Sequence, residues 1–290
     1  MEIREATRKN VKLLIGLAGV SGSGKTYSAL QLAYGLTNKI SKKVGFLDTE
    51  NGRGSLYADI FGDNKFLIGD MLPPFAPEKY TESIKQFEKA GVEVIVIDSF
   101  SHAWEGEGGC KDIADEALKQ GKKVANWIKA KAEWKKMLNS LLLANCHVIV
   151  CMRARPKVRV ETVKGELTYI DEGLQMITEK NAPFEMTASL MLHDSGKYQD
   201  VLKCPAELVE ILGRGKGYIT VEDGLALRKW IEGGGSIDDE LAKARTTLKL
   251  AAEGGITSLK TAWSKLPKSV RDKMGGSCPE EFKKVAVQFE

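Results

Sequence analysis

Little in this chain of 290 residues points toward a membrane or an oxidising compartment. No apolar run approaches the ~18 residues that a bilayer-spanning helix needs. The opening stretch, MEIREATRKN, is too polar for a secretory signal. Five cysteines, at 110, 146, 151, 204 and 278, include no C-x-x-C pair. That excludes zinc ribbons and thioredoxin-like motifs, and the odd count fits a reducing compartment. Cys146 and Cys151 flank or lie in an apolar run and read as core thiols. Three scattered histidines, His102, His147 and His193, suggest no metal site. A net charge of +4 is too mild to indicate nucleic acid by itself. Long repeats and low-complexity tracts are absent. The expectation is a cytoplasmic protein with no membrane contact.

What is present is an ordinary globular composition, 43% hydrophobic and 28% charged, with room for a real core. The length suits one large α/β domain with an appendage, or two modest domains. Strand-like apolar runs at residues 11–18, 43–48, 93–98 and 147–152 alternate with helical patterns after Thr26, over 79–90 and over 122–145. Trp127, Ala130, Trp134, Met137 and Leu141 mark one side of the last helix. Such alternation implies βαβ units and a parallel sheet covered on both faces. Beyond residue 155 the rhythm changes. "KVRVETV" and "GELTYI" read as a hairpin, and "EMTASLMLH" and "YQDVLKC" as two more strands.

Gly233–Gly235 reads as a hinge. Ser236 is then positioned to cap a helix with Asp238, Asp239 and Glu240 in its first turn. Leu241, Leu248 and Ala252 share a face, as do Ile256, Leu259, Trp263 and Leu266. Ser277 and Glu280 have capping-box spacing, followed by Phe282, Val285, Ala286 and Phe289. The division expected is a nucleotide domain over 1–232 and a small helical domain over 236–290.

"GVSGSGKT", Gly19 to Thr26, matches G-x-x-x-x-G-K-[ST] in full. Glycines at this spacing let backbone N–H groups surround a phosphate that any Cβ would crowd. The helix that follows adds its positive end. Gly19, Ser21, Gly22, Ser23, Gly24, Lys25 and Thr26 are therefore the expected ATP cradle. Lys25 is expected to reach the β- and γ-phosphates, and the Thr26 hydroxyl to ligate Mg²⁺. "VIVID" ends a buried strand with Asp98, the expected second metal-side acid. Ser99 stands where many ATPases carry a catalytic Glu, so Glu50, in "FLDTE", is the candidate that orients the attacking water. Asp48 is placed to support Glu50 or the metal, and Glu105 and Glu107 are weaker contenders.

The ordered segments "GVSGSGKT", "FLDTE", "VIVIDSFSHAWEG" and "VIVCMRARPK" resemble the RecA-like ATPase core over roughly residues 10–205. They are most similar to phage-encoded RecA-like AAA proteins, the Sak-type single-strand annealing or recombination ATPases. That resemblance implies an α/β RecA-like P-loop NTPase with a mostly parallel sheet, a β-hairpin extension and a small C-terminal helical domain. It also implies single-stranded DNA as a partner, self-association as a ring or filament, and a viral protein in host cytoplasm; the C-terminal helices are candidates for docking a single-strand binding protein or for a stabilising or oligomerising module. The sequence departs at the end of the fourth strand. RecA proteins place a polar sensor there, commonly Gln, and this chain has Cys151 and Met152. Arg153 is the nearest group able to sense a phosphate, so RecA's own coupling of ATP to strand exchange is not implied.

Arg153, Arg155, Lys157 and Arg159 follow that strand with no acid among them. They are candidates for DNA phosphates or for a nucleotide in trans, against a solvated hairpin. Tyr169 is a candidate base-stacking group, and Lys180 a trans-acting one. Arg214 and Lys216 read as a flexible turn, and Trp104 as core. Three activities stay open: a DNA-associated ATPase, a small-molecule or nucleoside kinase, and a nucleotide-gated binding module with negligible turnover.

Overall fold

The computed structural model describes residues 8, 11–163, 166–233 and 237–289. Its strands are β1 (Leu14–Gly19), β2 (Val44–Asp48), β3 (Leu67–Asp70), β4 (Val94–Asp98), β5 (His147–Val163), β6 (Glu166–Met176), β7 (Ala188–His193) and β8 (Tyr198–Lys203). They join in the order β3-β2-β4-β5-β1-β7-β8, with β6 paired to β5. All pairings are parallel except β7 with β8 and β5 with β6. Every residue of β1, β2 and β4 is buried. These strands accordingly read as continuous apolar runs, because each face needs hydrophobic cover.

Helices α1 (Lys25–Leu36), α2 (Pro77–Lys89), α3 (His102–Glu105), α4 (Cys110–Lys119) and α5 (Trp127–Leu142) supply that cover. Tyr80, Ile84 and Phe87 of α2 fall at helical spacing, as do Trp134, Met137 and Leu141 of α5. Both sets join Ile95 and Ile97 of β4 and Val148 and Val150 of β5 in one core. Helix α1 packs on β1, β4 and β5. Short α6 (Ala182–Glu185) and α7 (Val209–Leu212) precede α8 (Val221–Glu232). Where α8 meets α1 there is no room for side chains. A Cβ on Gly35 would lie 2.1 Å from the Val221 carbonyl oxygen, and one on Gly224 would lie 2.3 Å from that of Leu32.

Sequence and structure differ in a few places. The fourth strand and the first arm of the hairpin are one 17-residue strand, β5. Its register shifts between Pro156 and Val158, a bulge that accommodates proline's missing donor. Strand β3 has no counterpart among the strand-like runs of the sequence, because it is four residues long and three of them are exposed. The helix expected over 122–145 begins only at Trp127, where the Asn126 side chain accepts the Lys129 N–H.

The chain divides into two compact units, Lys12–Lys229 and a second containing Trp230 onward with the N-terminal stretch. The second has α9 (Ile237–Ala252), α10 (Gly255–Lys265), α11 (Lys268–Lys273) and α12 (Glu280–Val287). Leu248, Ala252, Leu259, Phe282 and Ala286 form its core, with Ile256, Trp263, Leu266 and Val285 against it. Phe289 is exposed instead. The Ser277–Glu280 capping box does not form, since Pro279 is the N-cap and no side chain caps α12. The expected hinge beyond Gly233 and the Ser236 cap lie outside the described residues. Among the described residues no helix is long and apolar enough to cross a membrane.

Candidate active site

Between the end of β1 and the start of α1 the chain turns through Gly22 and Gly24, at φ 79° and 85°. Left-handed backbone of this kind is strained for any residue with a Cβ. At Gly24 space is also short, because a Cβ would lie 2.5 Å from the Ser195 carbonyl oxygen. Gly24 is the N-cap of α1 and no side chain caps that helix. Its first amide N–H groups therefore have no side-chain acceptor, which suits an anion. The Lys25 ammonium donates to the carbonyls of Gly19 at 3.0 Å and Val20 at 2.8 Å. A backbone cradle with a lysine folded onto it fits a polyphosphate.

Sheet register brings the remaining groups to the same edge. Asp48 is opposite Asp98, Asp98 opposite Cys151, and Gly19 opposite Arg153. The Thr26 hydroxyl donates to Asp98 Oδ2 at 2.5 Å. Burial pushes the Asp98 carboxyl up to about 6, against the Thr26 hydrogen bond and the Lys25 charge, which pull it down. A buried carboxylate with few donors gains most from a cation. Thr26 and Asp98 offer hard oxygen donors, the chemistry Mg²⁺ prefers. Among the described residues no three His, Cys, Asp or Glu cluster as a full metal cage.

Glu50 is held by its own loop. Asp48 accepts the Glu50 N–H on Oδ1 and the Gly54 N–H on Oδ2, both at 2.6 Å. Asp48 thus supports the loop. The Glu50 carboxylate receives Arg153 through Nε at 2.9 Å and Nη2 at 2.6 and 2.7 Å. The Glu50 side chain is 17% exposed and that of Arg153 46%. Glu50, Arg153, Lys25, Thr26 and Asp98 line one cleft of about 420 Å³. A second cleft of about 420 Å³ shares Glu50, Arg53 and Arg153 and adds Leu72, Phe75 and His102. The Glu50–Arg153 pair is therefore part of the wall of both.

His102 was the functional neighbour that the sequence did not reveal. Its Nδ1 lies 2.7 Å from the Thr49 hydroxyl, its ring stacks on Phe75 at 4.7 Å, and its Nε2 is 4.0 Å from Glu50 Oε1. Burial and then the Arg153 charge push its pKa below the ordinary histidine value, which favours the neutral ring. The available signal was its place in "SHAWEG", just past the acid strand.

The basic segment is not a row of unpaired cations. Arg153 holds Glu50, Arg155 lies 3.5 Å from Glu105, Lys157 2.6 Å from Glu172, and Arg159 contacts Glu161 and Glu172. The acids come from the loop after β2, from β6, from α3 and from the same strand, so the local sequence could not show them all. Tyr169, opposite Val160, is 70% exposed. Arg214 is no flexible turn either: it pairs with Asp223, which also accepts the Thr220 N–H. Trp104 packs on Trp127 and Trp134. Lys180 is exposed, and the Cys151 thiol is buried beneath the site.

A family model described as an AAA domain matches residues 11–181. That span takes in the cradle, Glu50, Asp98 and both arms of the hairpin. None of the curated proteins compared with the chain matches it. Among solved structures, a KaiC-like protein from the hyperthermophilic archaeon Pyrococcus horikoshii is 14% identical, with a TM-score of 0.38, over 67% of this chain and 80% of that one.

Proposed function

The chain belongs to the AAA-domain family, and from that premise we propose that it is an ATP-hydrolysing, single-stranded-DNA-associated ATPase of the Sak-type recombination and annealing kind. One observation carries the reading: Lys25, the Thr26–Asp98 pair and the Glu50–Arg153 pair all face a single cleft at the sheet edge. ATP enters with its phosphates on the loop from Gly19 to Thr26, where backbone N–H groups and Lys25 take the negative charge. Thr26 and Asp98 would hold Mg²⁺, which neutralises charge on the phosphate oxygens when bound. Glu50 accepts a hydrogen from the attacking water and orients it; positioning supplies most of the effect in phosphoryl transfer. Arg153 can leave Glu50 for the terminal phosphate, since a phosphate offers the same bidentate geometry as a carboxylate.

The DNA part of the proposal rests on the resemblance and on the exposed hairpin beyond Arg153. Arg155, Lys157 and Arg159 sit in ion pairs open to solvent, which water and salt weaken, so a strand of phosphates competes with them readily. Self-association and a single-strand binding partner at the C-terminal helices belong to the same proposal, through the resemblance alone.

The full engagement of Glu50 by Arg153 also favours a second reading, a nucleotide-gated module with slow turnover. Steady-state ATPase assays with and without single-stranded DNA separate the two. Stimulated turnover is expected, lost in Glu50→Gln with ATP binding kept, and both lost in Lys25→Ala. Full turnover by Glu50→Gln would remove Glu50 from the mechanism. ATP-dependent DNA binding without turnover would establish the second reading.

A further inference from the structure

Glu50 accepts several N–H groups from Arg153, and a carboxylate so occupied has few lone pairs left for water. When Arg153 turns to a phosphate, Glu50 needs another donor or it swings freely. Among the described residues, Arg53 and His102 are within reach. Arg53 Nη1 is 3.9 Å from Oε2, but that side chain is 72% exposed. His102 Nε2 is 4.0 Å from Oε1 and its side chain is only 13% exposed. A ring fixed on Phe75 loses little freedom in making the bond, whereas an exposed arginine loses much.

The proton on His102 can be placed. The Thr49 hydroxyl accepts the Ser99 N–H at 2.8 Å. Its one hydrogen goes to His102 Nδ1 at 2.7 Å or to the Ser99 carbonyl at 3.2 Å. Nδ1 is the nearer of the two acceptors by 0.5 Å, and the shorter contact takes the Thr49 hydrogen. A neutral ring then carries its proton on Nε2, the nitrogen facing Glu50. The Glu50 anion favours the same tautomer.

We propose that His102 is the positioning residue of this site: its Nε2–H takes Glu50 Oε1 when Arg153 leaves, and so turns Oε2 toward the attacking water. The inference rests on the reading of Glu50 as the water-orienting acid. His102 lines the second cleft and not the nucleotide cleft, so it acts through Glu50 and touches no phosphate.

The test compares His102→Asn, His102→Gln, His102→Phe and Glu50→Gln by steady-state ATP turnover, with melting temperatures alongside. An Asn amide reaches the place of Nδ1 and keeps the Thr49 bond. A Gln amide reaches the place of Nε2. The Asn and Phe variants should lose about tenfold to a hundredfold in kcat, the worth of one hydrogen bond to a charged group, with KM for ATP changed by less than about twofold. Gln should recover most of that loss, which a merely structural role for the ring would not allow. The Phe variant keeps the stack on Phe75, so a folded Phe variant gives the result if Asn unfolds. Wild-type kcat in the Asn or Phe variant beside an inactive Glu50→Gln overturns the role of His102 alone. Equal loss in Gln and Asn overturns it too. A fully active Glu50→Gln overturns the reading of Glu50 and this inference with it.

Discussion

Asp98 has two jobs with opposite demands. It must carry a charge for a cation, yet it is buried, and burial lifts its pKa to about 6. The folded protein therefore holds a proton there that the unfolded chain has released, between about pH 4 and 6. Stability falls as pH rises through that window, and at neutral pH the nucleotide-free protein carries a penalty on the order of 2–3 kcal/mol. Asp98→Asn removes the penalty. The variant should melt about 5 °C higher than wild type at pH 7 without nucleotide, and should have lost ATP turnover. An unchanged or lower melting point would mean that Asp98 is not strained by its surroundings. At this scale the sequence was legible where chemistry is local. The cradle is written in eight consecutive residues, and Asp98 ends an apolar run. The Glu50–Arg153 pair was not, because it spans 103 positions and exists only through the register that sets Gly19 beside Arg153. Nor was His102, whose partner Thr49 is 53 positions away.

Among the elements, α1 and α8 meet backbone to backbone at Gly35 and Gly224. Gly224→Ala puts a methyl group 2.3 Å from the Leu32 carbonyl oxygen, and the helices must separate. Overpacking of this kind costs on the order of 1–3 kcal/mol, to be read as a lower urea midpoint with an unchanged slope. Helical patterns in α1, α2 and α5 were readable from apolar spacing, whereas the contact of α1 with α8 was not, since glycine advertises no partner. The hairpin of β5 and β6 allows a second test. Replacing Arg155, Lys157 and Arg159 by Ala should weaken single-stranded DNA binding and flatten its salt dependence. Three phosphate contacts correspond to a change of about 2 in the slope of log K against log salt. An unaltered slope would place the DNA elsewhere.

Across the whole molecule, Asp98 and His147 are buried groups whose shifted pKa values act on stability with opposite sign. His147 accepts the Leu13 N–H on Nδ1 at 3.0 Å, and burial, then the Lys12 charge, pushes its pKa down to about 4. The unfolded chain takes up a proton near pH 6.5 that the folded protein refuses until about pH 4. His147 thus contributes stability that is present above pH 6.5 and lost as pH falls toward 4. Asp98 tilts the curve the other way over most of that window and offsets part of this loss, while His102 and Glu93, whose pKa values are also pushed down, add to it, so wild type keeps a shallow acid limb. Asp98→Asn should steepen the acid limb and His147→Asn should level it, as measured by calorimetric midpoints without nucleotide. Parallel curves for both variants would show that other groups govern acid stability.

Strand β5 runs without a loop from its place beside the cradle into the hairpin arm. At about 3.3 Å per residue it is a lever several nanometres long, with its short arm clamped between β1 and β4 and its long arm in solvent. A tilt of the clamped end would be magnified along the outer arm toward Val163, and a ligand held on that arm would be displaced with it. The register shift at Pro156–Val158 lies between the two ends.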